Sequence, residues 1–154
     1  MGIEVKFDMN AIHKKLEAFK KEVDTSILTT LGYLGEELTN FAKMNITFTP
    51  RSGNLQNSTG YVVVKNGKVV LVAGFGEVSS ESEGEKKGIE LALKLAKGTA
   101  SSSYALVIVA GMEYAAEVEA RGYNVILPAE LLAKTEFPKV LKELMEKVNK
   151  KLKS

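Results

Sequence analysis

The run Tyr61-Val-Val-Val-Lys65, the pair Asn66-Gly67 and the run Lys68-Val-Val-Leu-Val-Ala73 constrain this chain more than any other stretch. β-Branched residues favour extended backbone, and an Asn-Gly pair accepts the positive φ values of a two-residue hairpin turn. The hairpin therefore sets a sheet at the centre of the fold. Upstream, Ile3, Val5 and Phe7 alternate with Glu4, Lys6 and Asp8, the period of a short half-buried strand. Asp8 or Asn10 can cap a helix whose stripe is Ile12, Leu16, Phe19 and Val23. Asp24 reads as a fresh cap, opening a second helix with Ile27, Leu31, Leu34, Leu38 and Phe41 on one face. Gly32 and Gly35 each cost that helix about 1 kcal/mol relative to Ala, and they permit another backbone to pack closely there.

Beyond the hairpin the composition changes. Residues 78–103 open with Ser and Glu, carry a short helical stretch from Ile89 to Ala96, and close on Gly98-Thr-Ala-Ser-Ser-Ser. The polar flanks predict a mobile insertion. Tyr104-Ala-Leu-Val-Ile-Val-Ala110 predicts a buried strand, Met112–Arg121 a short helix stopped at Gly122, and Tyr123–Leu127 a further strand. Pro128 or Pro138 starts a last helix with Leu141, Leu144, Val148 and Leu152 on one face. The expected architecture is α+β in one domain over 1–154. An antiparallel sheet with a central hairpin carries two N-terminal helices and a C-terminal helix packed against it.

With 154 residues the chain can bury a real core. Its net charge is only +2, and its 21 basic residues are lysines except for Arg51 and Arg121, a poor set for clamping phosphates or reading bases. Without cysteine there is no disulfide, thiolate metal site or thiol nucleophile. No export signal is visible at the N-terminus, and the longest nearly apolar run, Tyr104–Gly111, is far short of the roughly 20 residues a bilayer requires.

Two short stretches remain. Thr49-Pro-Arg-Ser-Gly-Asn-Leu-Gln-Asn-Ser58 reads as a tight, capped turn feeding a strand, with Gly53 at its sharpest point and Ser52, Asn54 and Ser58 bonding the local backbone. Arg51 at its tip is a candidate contact for a neighbouring subunit. Tyr114-Ala-Ala-Glu-Val-Glu-Ala-Arg-Gly122 reads as an aromatic and acidic element that ends at a glycine. Together they resemble the tail-component and neck (head–tail joining, tail-completion) family of long-tailed bacteriophages. That family shows Pro-x-x-[Thr/Ser]-Gly-x-Leu-x-x-Ser and, further on, Tyr-Ala-x-x-Val-Glu-x-Gly. Ser52, Gly53, Leu55 and Ser58 match the first pattern, with Pro50 one residue nearer than its place in it; Tyr114, Ala115, Val118 and Glu119 match the second, with Gly122 one residue beyond its place.

The remaining candidates weigh towards structure. Glu117 and Glu119 could form an acid–base pair, but no histidine accompanies them, and Glu119 is better suited to accept backbone amides or to bind Arg51 or Arg121. His13 is the single histidine and lies beside the apolar stripe, which excludes a multi-histidine metal site. Ser52 and Ser58 have no base at motif spacing. Gly74-Phe-Gly76 lacks the third glycine of a dinucleotide loop, and Glu77, Glu81, Glu83 and Glu85 lack calcium-loop spacing. Six lysines on the last helix, Lys139 to Lys153, could face DNA, although a helix C-terminus favours lysine in any case. No catalytic, cofactor or metal site is expected.

The resemblance implies a structural virion protein, made in the host cytoplasm and incorporated at the neck or tail. Its subunits would form a sixfold or twelvefold ring at the head–tail junction through which DNA passes. Its partners would be itself, the head connector and the tail-tube proteins, with no membrane and no small-molecule substrate. The alternative is a nucleic-acid-binding accessory protein using the lysine-rich last helix.

Overall fold

The computed structural model describes residues 1–49, 51–76, 82–101 and 103–154. The elements in chain order are α1 (Met9–Met44), α2 (Asn54–Asn57), β1 (Thr59–Lys65), β2 (Lys68–Ala73), α3 (Glu83–Ala96), β3 (Tyr104–Ala110), α4 (Ala115–Ala120) and α5 (Leu127–Leu152). The fold class is α+β, as the hairpin and stripes predict. The three strands form an antiparallel sheet in the order β2-β1-β3. Asn66 and Gly67 take φ values of 52° and 74°, the paired positive angles of a two-residue hairpin turn.

β1 is the centre of the molecule, buried on both faces from Thr59 to Val64. Val62 and Val64 face α3 and meet Ala92, Ala96 and Val109 there. Tyr61 and Val63 face the other way, onto Leu31 of α1. Leu34, Leu38 and Ala42 of α1 continue that second layer against Ala129 of α5 and Leu106 and Ile108 of β3. The sheet is thus sandwiched, with α1 and α5 on one side and α3 on the other. Burying each of these valines contributes roughly 1.5–3 kcal/mol. Gly35 allows the α1–sheet approach, since a Cβ there would overlap the Tyr61 ring.

The structure corrects several sequence expectations. The two N-terminal helices are one continuous helix. Asp24 caps nothing; its carboxylate takes Lys65 and the Tyr104 hydroxyl from the ends of β1 and β3. Those partners, Lys65 first and Tyr104 second, hold the carboxyl below its usual range. The apolar stripe passes through Val23 and Ile27 without a phase shift, so nothing local breaks the helix. Residues 1–8 form no strand, although Asp8 does cap α1, its Oδ1 accepting from the Ala11 amide at 3.2 Å. Tyr123–Ile126 is not a strand either: it is irregular, and α5 starts at Leu127. Pro128 lies in the first turn of α5, where its missing N–H costs nothing, while Pro138 lies inside it.

The largest correction concerns 78–103. Residues 77–81 and 102 lie outside the described residues. Of the rest, α3 belongs to the core of the domain, since it packs on the sheet with Ala92 and Ala96 buried. Its buried residues, Gly84, Gly88, Ala92 and Ala96, recur every four positions and form one stripe along the helix. A stripe of minimal side chains brings the helix backbone itself onto its neighbours, which apolar counting does not detect.

Candidate functional site

Gly53 sits at φ 73°, in the left-handed region, and opens the single turn of α2. This is the sharp turn read from the sequence. Ser52 Oγ accepts from the Asn54 amide at 3.4 Å. Leu55 points inward and packs with Met112, Ala115 and Val125, a small core beneath the site. Pro50 lies outside the described residues.

Ser58 joins this loop to the second motif. Its fully buried hydroxyl donates to the Leu55 carbonyl at 2.8 Å. The same oxygen accepts from the amides of Gly111 (3.1 Å) and Met112 (3.3 Å), where β3 ends. The bond from the Gly111 amide to the Ser58 carbonyl, also 3.1 Å, reinforces the junction. Two segments more than fifty residues apart are thereby locked together. A third element completes the clamp: Cβ atoms at Gly84 or Gly88 of α3 would overlap the backbone carbonyls of Asn54 or Ser58.

Glu119 plays one of the two parts expected of it. Its Oε1 accepts from the amides of Val125, Ile126 and Leu127 at 3.4, 2.9 and 2.6 Å, at the N-terminus of α5, where a carboxylate also suits the helix dipole. Gly122 makes the intervening turn at φ 89°. Arg121 does not bind Glu119; it pairs with Glu117 one turn earlier on the exposed side of α4.

Above this frame lies an open cleft of about 460 Å³. The first motif contributes Arg51, Ser52, Gly53 and Leu55 to its lining, and the second contributes Tyr114 and Val118. Ser58 and Glu119 stand behind it as braces, and Gly122 as a turn. Phe48, Arg121 and Tyr123 also line it, beside Thr49 and Gln56, so both arginines of the chain meet two tyrosines there. The sequence carried a signal for these two added residues, since Arg121 and Tyr123 flank the Gly122 stop. It carried none for Phe48. Arg51 is exposed and, among the described residues, enters no ion pair. Such a cleft offers cations and ring faces to a partner's acidic and apolar groups. Among the described residues no group of three or more His, Asp or Glu is placed to hold a metal ion. His13 lies exposed on α1, and Glu117 is engaged by Arg121. Among the described residues no helix is long and apolar enough to cross a membrane.

Comparison with protein-family models, with curated proteins and with solved structures finds no match to this chain.

Proposed function

We propose that this chain is a structural virion protein of the phage neck or tail, a subunit of a ring at the head–tail junction through which DNA passes. The observation that carries the reading is the convergence of the two motif stretches, distant in sequence, on one surface cleft holding Arg51, Arg121, Tyr114 and Tyr123. The braces behind it, Ser58 and Glu119, are spent on backbone amides. They hold a surface rigid. A rigid cleft of this composition suits subunit contact, because pre-organisation lowers the entropy cost of association. A head-to-tail contact whose rotation closes gives a ring, and closure multiplies weak individual affinities. The net charge of +2 suits a wall along which DNA passes without sticking.

Electron microscopy of the purified chain, alone and mixed with head-connector protein, tests the reading: rings or ring caps on the connector are expected. Arg51→Glu should leave the subunit folded and weaken assembly. Strong, salt-dependent binding of the lone subunit to duplex DNA would instead favour α5 as the working surface. Three of its lysines are already committed, Lys134 to Glu130 and Lys139 to Glu136 at 2.8 Å, and Lys151 to Glu22 of α1.

A further inference from the structure

The molecule holds a segment with a strand's alternation but no sheet, and a sheet edge without a strand. Residues Ile3, Val5 and Phe7 are 95%, 66% and 73% exposed, although they alternate with Glu4, Lys6 and Asp8 as a half-buried strand does. At the sheet margin β2 pairs, among the described residues, with β1 alone. Its Val70, Leu71 and Val72 are 39–48% exposed in succession, and its single charge, Lys68, sits at the hairpin end. An edge strand normally carries charges, a proline or a covering element that prevents further pairing. The middle of β2 holds no charge or proline; it does carry a bulge at Val70, where the register shifts between Val63 and Val64 of β1. β3 differs: Phe137 and Ala133 of α5 border the same groove as its Leu106 and Ile108, and its central residues are half-buried.

The N-terminal segment cannot serve its own sheet. The near end of the sheet lies level with Asp24, which bonds Lys65 and Tyr104, and Leu71 lies against Gly32. From Met9 to Asp24 the helix rises about 22 Å at roughly 1.5 Å per residue, and to Gly32 about 34 Å. Phe7 stands two residues before Met9, a reach of about 7 Å. Residues 3–7 are therefore carried far beyond their own β2, at the tip of a helix whose first stripe residues, Ile12 and Leu16, are also exposed.

We infer that residues 3–7 of one subunit add as a strand to the β2 edge of a neighbouring copy. Main-chain hydrogen bonds along β2 would supply the pairing, and Ile3, Val5 and Phe7, which share one face, would lie beside the exposed β2 side chains of that face. Because the donor and acceptor surfaces are different patches, the contact can repeat head-to-tail, each subunit giving a strand to one neighbour and taking one from another. Such repetition builds rings or open chains, whereas reciprocal exchange between two copies would close a two-fold dimer. The inference rests on the self-association proposed above and names one of the contacts that would produce it.

The absence of cysteine gives a clean test. Full-length Val5→Cys protein is mixed with full-length Val70→Cys or Val72→Cys protein and oxidised, with one partner carrying a mass tag. The expected result is a disulfide-linked species containing one chain of each kind, with no linked product from Val5→Cys alone. In parallel, the full-length triple variant Ile3→Asp, Val5→Asp, Phe7→Asp should associate about tenfold more weakly or worse by analytical ultracentrifugation, and the amides of Val70–Val72 should exchange faster in it than in the assembled parent. Rings that form normally with no mixed disulfide and unchanged exchange would overturn strand addition while leaving the ring proposal standing. Mixed disulfides in open chains would support strand addition and overturn the ring. A parent protein that stays monomeric at every concentration would overturn both.

Discussion

α3 and the first half of α1 are opposites in sequence and in fate. The stripe Ile12, Leu16, Phe19 and Val23 is bulky and regular, yet Ile12 and Leu16 are exposed and only Phe19 and Val23 are partly covered. The buried face of α3 is Gly84, Gly88, Ala92 and Ala96, with hardly any side chain to bury, and it is wholly enclosed. Hydrophobicity measures what a residue would gain from burial, not whether another element arrives to bury it. Small residues gain little individually, but they let two backbones approach, and the gain then comes from Val62, Val64 and Val109 packed beneath them.

The strongest way to break this contrast is to give α3 a side chain. Gly88→Leu would drive a Cβ into the Ser58 carbonyl and the Phe75 ring, both held in place. A loss of about 3 kcal/mol or more is expected in chemical denaturation, together with loss of the cleft geometry. A Gly88→Leu protein as stable as the parent would remove α3 from the core.

Next in size is the loop that α3 grips. Gly53→Val should cost about 1–3 kcal/mol, because a β-branched residue is forced to positive φ. Ser58→Ala should cost about as much, by stranding the buried Met112 amide and weakening the Gly111 junction. Thermal unfolding checks both, and a neutral result in either would mean that the loop relaxes without its brace.

A smaller effect ties the two regions together. Asp24, midway along α1, is held below the usual carboxylate range by Lys65 and then Tyr104. Its folded-state value lies below its unfolded one, so its contribution is complete above the unfolded value, near pH 4, and is lost as the pH falls through the folded value. Asp24→Asn should therefore lower stability at neutral pH and flatten the acid limb of the unfolding curve. The two proteins should converge in strong acid, and parallel acid limbs would show that the contact is idle.

The smallest expected change lies in the arm itself. Leu16→Ala is expected to alter monomer stability by less than about 0.5 kcal/mol, since the side chain is 59% exposed. Measurement below and above the concentration at which the chain associates sharpens the contrast: an effect confined to the associated state would show that the stripe belongs to an interface.

Much of the candidate site could be read from residues alone. Gly53 and Gly122 occupy the turns their neighbours imply, and Glu119 takes the backbone amides expected of it. The Phe48 wall and the α3 clamp could not be read, because each depends on a segment remote in sequence. The expected break at Asp24 failed for the same reason: a carboxylate that might have capped a helix found a lysine and a tyrosine on the sheet instead.

By itself the sequence determined the hairpin and its turn, the α+β class, the positions of the tight glycine turns and the helical character of the long apolar stripes. These follow from steric limits on φ and ψ and from side-chain periodicity, which act over a few residues. Only the tertiary structure decided that α3 is core, that α1 is unbroken, that the two motif stretches share one cleft and that the strand-like N-terminal segment stands apart from its own sheet. Those outcomes depend on which distant backbone comes within van der Waals reach, and a local pattern carries no record of it.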